Sequence, residues 1–424
     1  MKITRRQFIQ SGAAAVTVTF AAPEFLSDLA MAQGARARNL VILYMSGGND
    51  ALSTLIPYND PFYYSRRPNL AVPAASVLQV GTDSSGIALG LHPRLTALSG
   101  IFNAGRLALI QRTGYANQSR SHFKGTDIWS TANPANASGL GWLGQYLDSL
   151  PSPVDSLVGW NTTGNSPHVL ASDHVPVPAI SSPSGYAFSS PNSGAEATSE
   201  RATMTRMNSH LPVNNTELAL VYGSTTAALN TLDRVATVAS YAPTVTYPNT
   251  SFSQALKAVA GSMVKGIGTR VFYVTTGGFD THSGQQVNQT NGPYYNLMAT
   301  FDNGLSAFYT DLNQQGLLGD TLVLTFSEFG RRISENGTGT GAGTDHGAAT
   351  LMMAMGGRVN GGLYGTASNL SPGTSNGTLE NNSGDIHYET DFRSVYARAI
   401  DSWLGANSLS ILGGDFRNAS LTYV

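Results

Sequence analysis

Cysteine is missing from all 424 residues. That absence excludes disulfides, thiolate metal ligands and a thiol nucleophile, so any metal must be held by His, Asp and Glu, and any attacking group must be oxygen, nitrogen or water. Charge is scarce as well. Lys and Arg number 24 against 26 Asp and Glu, only 12% of residues are charged, and the net charge is −2. No long basic run exists, and nucleic acid is excluded as a partner, because binding a phosphate backbone needs clustered Lys and Arg. Long apolar runs are lacking too. The run from Gly12 to Ala22 falls short of the roughly 20 residues that span a bilayer core, and no later run is longer. Stable membrane insertion of the mature chain is therefore not expected.

What the amino terminus does have is a basic start with Arg5-Arg6-Gln7-Phe8, the apolar run, and the small-residue site Ala30-Met31-Ala32. These three parts make an export signal. The paired arginines followed by Phe8 fit the twin-arginine type, whose machinery carries folded proteins across the membrane. Residues 1–32 are thus expected to be a cleaved signal and the mature protein to be periplasmic or secreted. A chain of this length buries a sizeable core, as one large α/β domain or two ordinary ones.

Short apolar or β-branched runs recur, each followed at once by glycine and polar residues. Leu40–Met45 leads into Ser46-Gly47-Gly48-Asn49-Asp50, and Leu107–Ile110 into the segment from Gly114 to His122. Arg270–Val274 leads into Gly277-Gly278-Phe279-Asp280-Thr281-His282, and Thr321–Phe326 into Ser327-Glu328-Phe329-Gly330-Arg331. Continuous apolar runs of this length read as strands buried on both faces, the parallel-sheet pattern. Helical spacing lies between them, at Pro93 to Ala104 and at Tyr294 to Gln314. The predicted fold is a doubly wound, mostly parallel α/β/α sandwich spanning 36–424. From about 151 to 250 the pattern gives way to Ser, Asn, Thr and Pro, with a helical stretch at Glu217 to Val238, and predicts a cap inserted over the sheet. Gly337 to Gly343 reads as a flexible loop delivering Asp345-His346.

In such sheets ligands sit beyond the carboxyl ends of the strands. Asp50, His122, Asp280, His282 and Glu328 all fall there. Asp50, Asp280, His282 and Glu328, with Asp345-His346 and His387, form a set of oxygen and imidazole groups suited to divalent zinc, manganese, calcium or magnesium, while His122 reads as a catalytic group beside the candidate nucleophiles. Ser119 and Ser121 precede His122 at a helix start, where either is a helix cap or a nucleophile facing an anion. Glu328 reads as a ligand or as a group orienting His282 or His346, and Arg331 as an oxyanion clamp or the ion-pair partner of Glu328. Trp142 and Trp160 could stack on a sugar, although core packing is the commoner role.

The motifs Leu43-Tyr44-Met45-Ser46-Gly47-Gly48-Asn49-Asp50, Arg120-Ser121-His122-Phe123, Gly277–His282, Ser327–Arg331, Thr344-Asp345-His346-Gly347 and Thr390-Asp391-Phe392-Arg393 resemble the exported family known as domain of unknown function 1501. That family is similar to a branch of the alkaline phosphatase and sulfatase superfamily. The resemblance implies an alkaline phosphatase-like fold and hydrolysis of phosphate or sulfate esters. It implies one metal on Asp50, Asp345 and His346, a second on Asp280, His282 and His387, and a nucleophile at Ser121 or Ser119. Without cysteine there is no thiol to convert into the formylglycine that typical sulfatases use. Expected partners are a small-molecule or polysaccharide ester and the twin-arginine machinery; the competing expectation is a secreted binding or surface-assembly protein that keeps the fold without turnover.

Overall fold

A computed structural model describes residues 38–208, 216–373 and 377–424. The expected signal at 1–32 lies outside the described residues. In chain order the strands are β1 (Asn39–Met45), β2 (Leu55–Ile56), β3 (Leu78–Thr82), β4 (Ala88–Leu91), β5 (Leu107–Gly114), β6 (Gly159–Asn161) and β7 (Val271–Thr276). They continue with β8 (Thr321–Phe326), β9 (Thr350–Gly356), β10 (Gly362–Tyr364), β11 (Leu379–Glu380), β12 (Asp385–Ile386) and β13 (Thr390–Asp391). The main sheet runs β10-β5-β9-β8-β1-β7-β6, with β13 also paired to β5. Its strands are parallel except β9, which is antiparallel to both β5 and β8.

The expected buried strands form because both faces of the sheet are covered. Along β1, Val41, Leu43 and Met45 point into one core, and Leu40, Ile42 and Tyr44 into the other, as the two-residue period of a strand requires. The first core takes side chains from helices Thr96–Asn103, Ser251–Lys265 and Pro293–Gln314; the second takes them from His122–Thr131, Trp142–Asp148 and Phe392–Arg398. The result is the expected three-layer, mostly parallel α/β architecture. No helix among the described residues is long and apolar enough to cross a membrane.

Two expectations need correcting. The segment 151–250 is not simply laid over the sheet, because its β6 is the edge strand beside β7. The helix Thr216–Ala239 also places Val235 and Val238 in the first core. Gly337 to Gly343 is not a loose tether either. Asn336 and Gly343 exchange backbone hydrogen bonds, and Gly343 packs so closely that a Cβ there would lie 2.3 Å from the carbonyl carbon of His282.

β9 matters most for the site. Because it runs against its neighbours, the segment preceding it, Asp345-His346, lies at the same edge as the segments that follow β1, β7 and β8.

Candidate metal centre

Register brings three loops together first. Met45 pairs with Thr276 and Tyr44 with Phe326, so Ser46, Gly277 and Ser327 leave the sheet side by side. Gly47 lets the first loop lie flat on the second: its φ is +119°, and a Cβ would lie 2.4 Å from the amide nitrogen of Asp280. The Gly47 amide donates to Glu328 Oε1 at 3.0 Å, joining the third loop.

Arg331 locks this arrangement. Its guanidinium is buried. Nε donates to Gly48 O at 2.7 Å and Nη1 to Thr344 O at 2.8 Å. Nη2 donates to Gly47 O, to Phe279 O at 3.0 Å and to Asp280 Oδ1 at 2.8 Å. A buried guanidinium engaged by four carbonyls and a carboxylate has no face left for a ligand, so Arg331 is corrected from an oxyanion clamp to the brace of the loops. Its ion-pair partner is Asp280, not Glu328.

Around Asp280 stand three histidines. Asp280 Oδ1 lies 3.2 Å from His282 Nε2 and 3.3 Å from His346 Nε2, and those two nitrogens are 2.9 Å apart. His122 Nε2 faces Asp280 Oδ2 at 3.4 Å. Among the described residues, His122, Asp280 and His346 form the group whose ligand atoms all lie within 4.8 Å of one another. His282 joins it by the distances just given.

The opposite nitrogen of each imidazole is tethered. His346 Nδ1 is 2.7 Å from the carbonyl oxygen of Arg120; a carbonyl only accepts, so this nitrogen carries the proton. His282 Nδ1 meets Asp345 Oδ1 at 2.9 Å, and His122 Nδ1 meets Glu328 Oε1 at 2.7 Å. With protons donated outward to carboxylates and a carbonyl, each Nε2 presents its lone pair to the centre. Carboxylate–histidine pairs of this kind orient metal-ligating imidazoles. The ring of Phe329 packs beneath, its centroid 4.9 Å from that of His122 and 4.5 Å from that of His346.

Electrostatics agree with this picture. Burial works to raise the Asp280 pKa, but the hydrogen bond and charge of Arg331, with the imidazoles beside it, outweigh it and bring the group down to about 2. Asp345 is lowered, chiefly by its hydrogen bond from His282, and His346 is lowered by burial. Both carboxylates are thus ionised and His346 neutral near neutral pH, the protonation states in which such groups bind a metal.

Lone pairs of two imidazoles and a carboxylate oxygen repel at 2.9–3.3 Å unless a positive charge lies among them. Donor atoms bonded to one zinc at about 2.0–2.2 Å sit roughly 3.4 Å apart in a tetrahedron, close to the separations seen here. The donor set therefore fits a divalent cation.

The remaining expected residues fall elsewhere. Asp50 is buried and bound by Arg67 at 2.6 Å, by Ser53 Oγ at 2.6 Å and by Gln285 Nε2 at 2.7 Å. Burial would raise its pKa, but Arg67 outweighs it and the pKa is lowered. A carboxylate already neutralised by a buried guanidinium is a poor partner for another cation, so Asp50 is corrected from ligand to ion-pair partner. His387 stacks on Tyr388, with its amide donating to Thr378 O and its carbonyl accepting from Arg112, and it takes no part in the cluster. The expected sharing of two metals among Asp50, Asp345, His346, Asp280, His282 and His387 does not match this geometry. Asp345 and Glu328 sit one step out, behind His282 and His122.

Ser121 is the residue before helix His122–Thr131. It is exposed and makes no side-chain cap bond. It lies between Arg120, whose carbonyl holds His346, and His122. Ser119 Oγ accepts from the Ser121 amide at 3.3 Å. Trp142 and Trp160 are fully buried, Trp142 stacked on Tyr396 and Trp160 donating to Ile180 O at 2.9 Å, so both are core residues.

Residues 37–404 match the family described as "Protein of unknown function (DUF1501)", and the chain belongs to it. No curated protein matches the chain. Among solved structures, the chain is similar to the PsFucS1 sulfatase from Pseudoalteromonas sp., at 12% identity over 93% of this chain and 71% of that one, with a TM-score of 0.32. It is similar to the phosphonate monoester hydrolase of Agrobacterium radiobacter at 12% identity over 89% and 78%, TM-score 0.29. A third is the alkaline phosphatase from the Antarctic bacterium TAB5, at 12% identity over 78% and 95%, TM-score 0.25.

Proposed function

We propose that this protein is an exported, metal-dependent hydrolase of phosphate or sulfate esters, and that His122, Asp280, His282 and His346 hold its cation. One observation carries the reading: three imidazoles, each tethered through Nδ1, turn their Nε2 atoms toward one carboxylate. Three imidazoles with one carboxylate suit zinc or manganese better than calcium or magnesium, which prefer oxygen. A cation held there supplies Lewis-acid polarisation of the ester. Glu328 and Asp345 keep the Nδ1 protons in place, Arg331 holds Asp280, and Phe329 excludes water from below. Export by the twin-arginine route is supported by Arg5-Arg6, the apolar run and the Ala30-Met31-Ala32 site.

The test is elemental analysis of the purified protein together with a panel of aryl phosphates, phosphodiesters and sulfates. Bound zinc or manganese and turnover of at least one ester class are expected, both lost in His282→Ala and His346→Ala. Ser121→Ala keeps the metal; if it loses turnover the serine attacks, and if it keeps turnover water attacks directly. Metal without any turnover would favour a binding protein on the same fold, and a metal-free protein would refute the site.

A further inference from the structure

Helix His122–Thr131 has one inward stripe. The His122 ring packs on Phe329, a Cβ on Gly125 would lie 3.1 Å from Glu328 O, Thr126 Oγ1 meets Tyr44 Oη at 2.8 Å, and Trp129 is fully buried. These positions are spaced as one helical face requires. Phe123 falls off that stripe and is 87% exposed, more than any other large apolar side chain among the described residues. Core packing therefore gives no reason for a phenyl ring there. Its position does: Phe123 directly follows His122, and helical side chains tilt toward the amino terminus. Phe123 thus stands in the first turn of the helix, beside His122 and next to the Arg120-Ser121 segment that holds His346, at the lip of the cluster.

We propose that Phe123 is the platform for the leaving group of the ester, and that this leaving group carries a ring with an apolar face, either an aryl ring or a pyranose. The inference rests on the hydrolase reading and adds the class of alcohol released. An aromatic side chain attracts such a ring through dispersion and its quadrupole, whereas a small alkyl group covers too little of it. Phe123 is the specificity-determining residue in this arrangement and takes no part in bond breaking.

Exposure makes the test clean, because Phe123→Ala removes nothing the fold relies on. Wild type, Phe123→Ala and Phe123→Trp are assayed with an aryl ester, a pyranosyl ester and a methyl ester of the same acid. Phe123→Ala should lower kcat/KM by about tenfold on a ring-bearing ester, mainly through KM, and leave the methyl ester unchanged. Phe123→Trp should restore the loss, and metal content and Tm should stay at wild-type values. The ring-bearing ester with the larger loss identifies the leaving group as aryl or sugar. Equal effects on all three esters, or none, overturn the platform while wild-type turnover leaves the hydrolase reading standing. A wild type that holds metal but turns over no ester overturns both.

Discussion

Removing the cation is the perturbation whose size can be worked out in advance. The Nε2 atoms of His282 and His346 lie 2.9 Å apart with Asp280 Oδ1 at 3.2 and 3.3 Å, so the folded state alone presents a preformed set of donors. A ligand that binds only the folded state stabilises it by about 2.7 kcal/mol at a hundredfold excess over Kd and about 4.1 kcal/mol at a thousandfold. Unfolding entropy near 2.1 cal/mol/K per residue over roughly 390 residues gives about 0.8 kcal/mol/K. Saturation with zinc should therefore raise Tm by about 3 to 5 °C, read by calorimetry on chelated protein with zinc or manganese titrated back. The shift should fade as pH falls below about 6.5, since protons compete for the same nitrogens and burial lowers the pKa of His346 beneath the ordinary histidine value. His282→Ala and His346→Ala should abolish it, and His387→Ala should not. Asp345→Asn, which weakens the tether behind His282, should reduce metal affinity about 10–100-fold without abolishing binding. The reasoning fails if chelated and zinc-loaded protein melt together, or if His387→Ala loses the shift while His346→Ala keeps it.

Two further outcomes follow from groups outside the ligand set. Arg331→Lys should destabilise the protein by about 3 kcal/mol or more, since one ammonium cannot satisfy the carbonyls of Gly47, Gly48, Phe279 and Thr344 together, and a buried unsatisfied acceptor costs about 1–3 kcal/mol; a variant with wild-type Tm and metal content would contradict the brace. His92, remote in sequence from the ligands, is fully buried, with Nε2 donating to Val287 O at 2.8 Å and Nδ1 accepting from the Arg94 amide at 3.1 Å, and burial lowers its pKa to about 4. Its folded pKa lies below the unfolded value, so its contribution is complete above about pH 6.5 and is lost as pH falls toward 4; at about 1.36 kcal/mol per pKa unit that amounts to about 3 kcal/mol. Denaturant titrations across this range should show a shallower loss in His92→Gln than in wild type, and parallel curves would refute the assignment.

Much of the fold could be read from the chain because its strands obey simple burial. Thr321–Phe326 is found where the apolar run places it, and the helix expected at Tyr294 to Gln314 is Pro293–Gln314. What could not be read was direction. Thr350–Gly356 is as apolar as its neighbours and fully buried, and nothing in its composition says that it enters the sheet from the opposite end. Only pairing with β5 and β8 decides that. The three-residue β6 was hidden for a different reason: its pairing with β7 is a long-range contact inside a stretch whose composition reads as loop.

Site legibility divides along the same line. Strand-end positions singled out Asp280 and His282 as candidate ligands and His122 as a candidate catalytic group, the Asp345-His346 pair added His346, and the fold brings these four side chains together. Roles within the cluster depend on which atom faces inward, and sequence spacing carries no such information. Asp345 adjoins His346 in the chain, yet its oxygen backs His282, sixty-three positions away. Asp50 follows a strand as a ligand would, but Arg67, seventeen positions on, had no motif to mark it as the partner of that carboxylate. A guanidinium close enough to neutralise Asp50 also removes the electrostatic reason for a second cation beside it. The order of acidic and imidazole groups along the chain can therefore match a two-metal pattern while the folded arrangement offers converging donors for one.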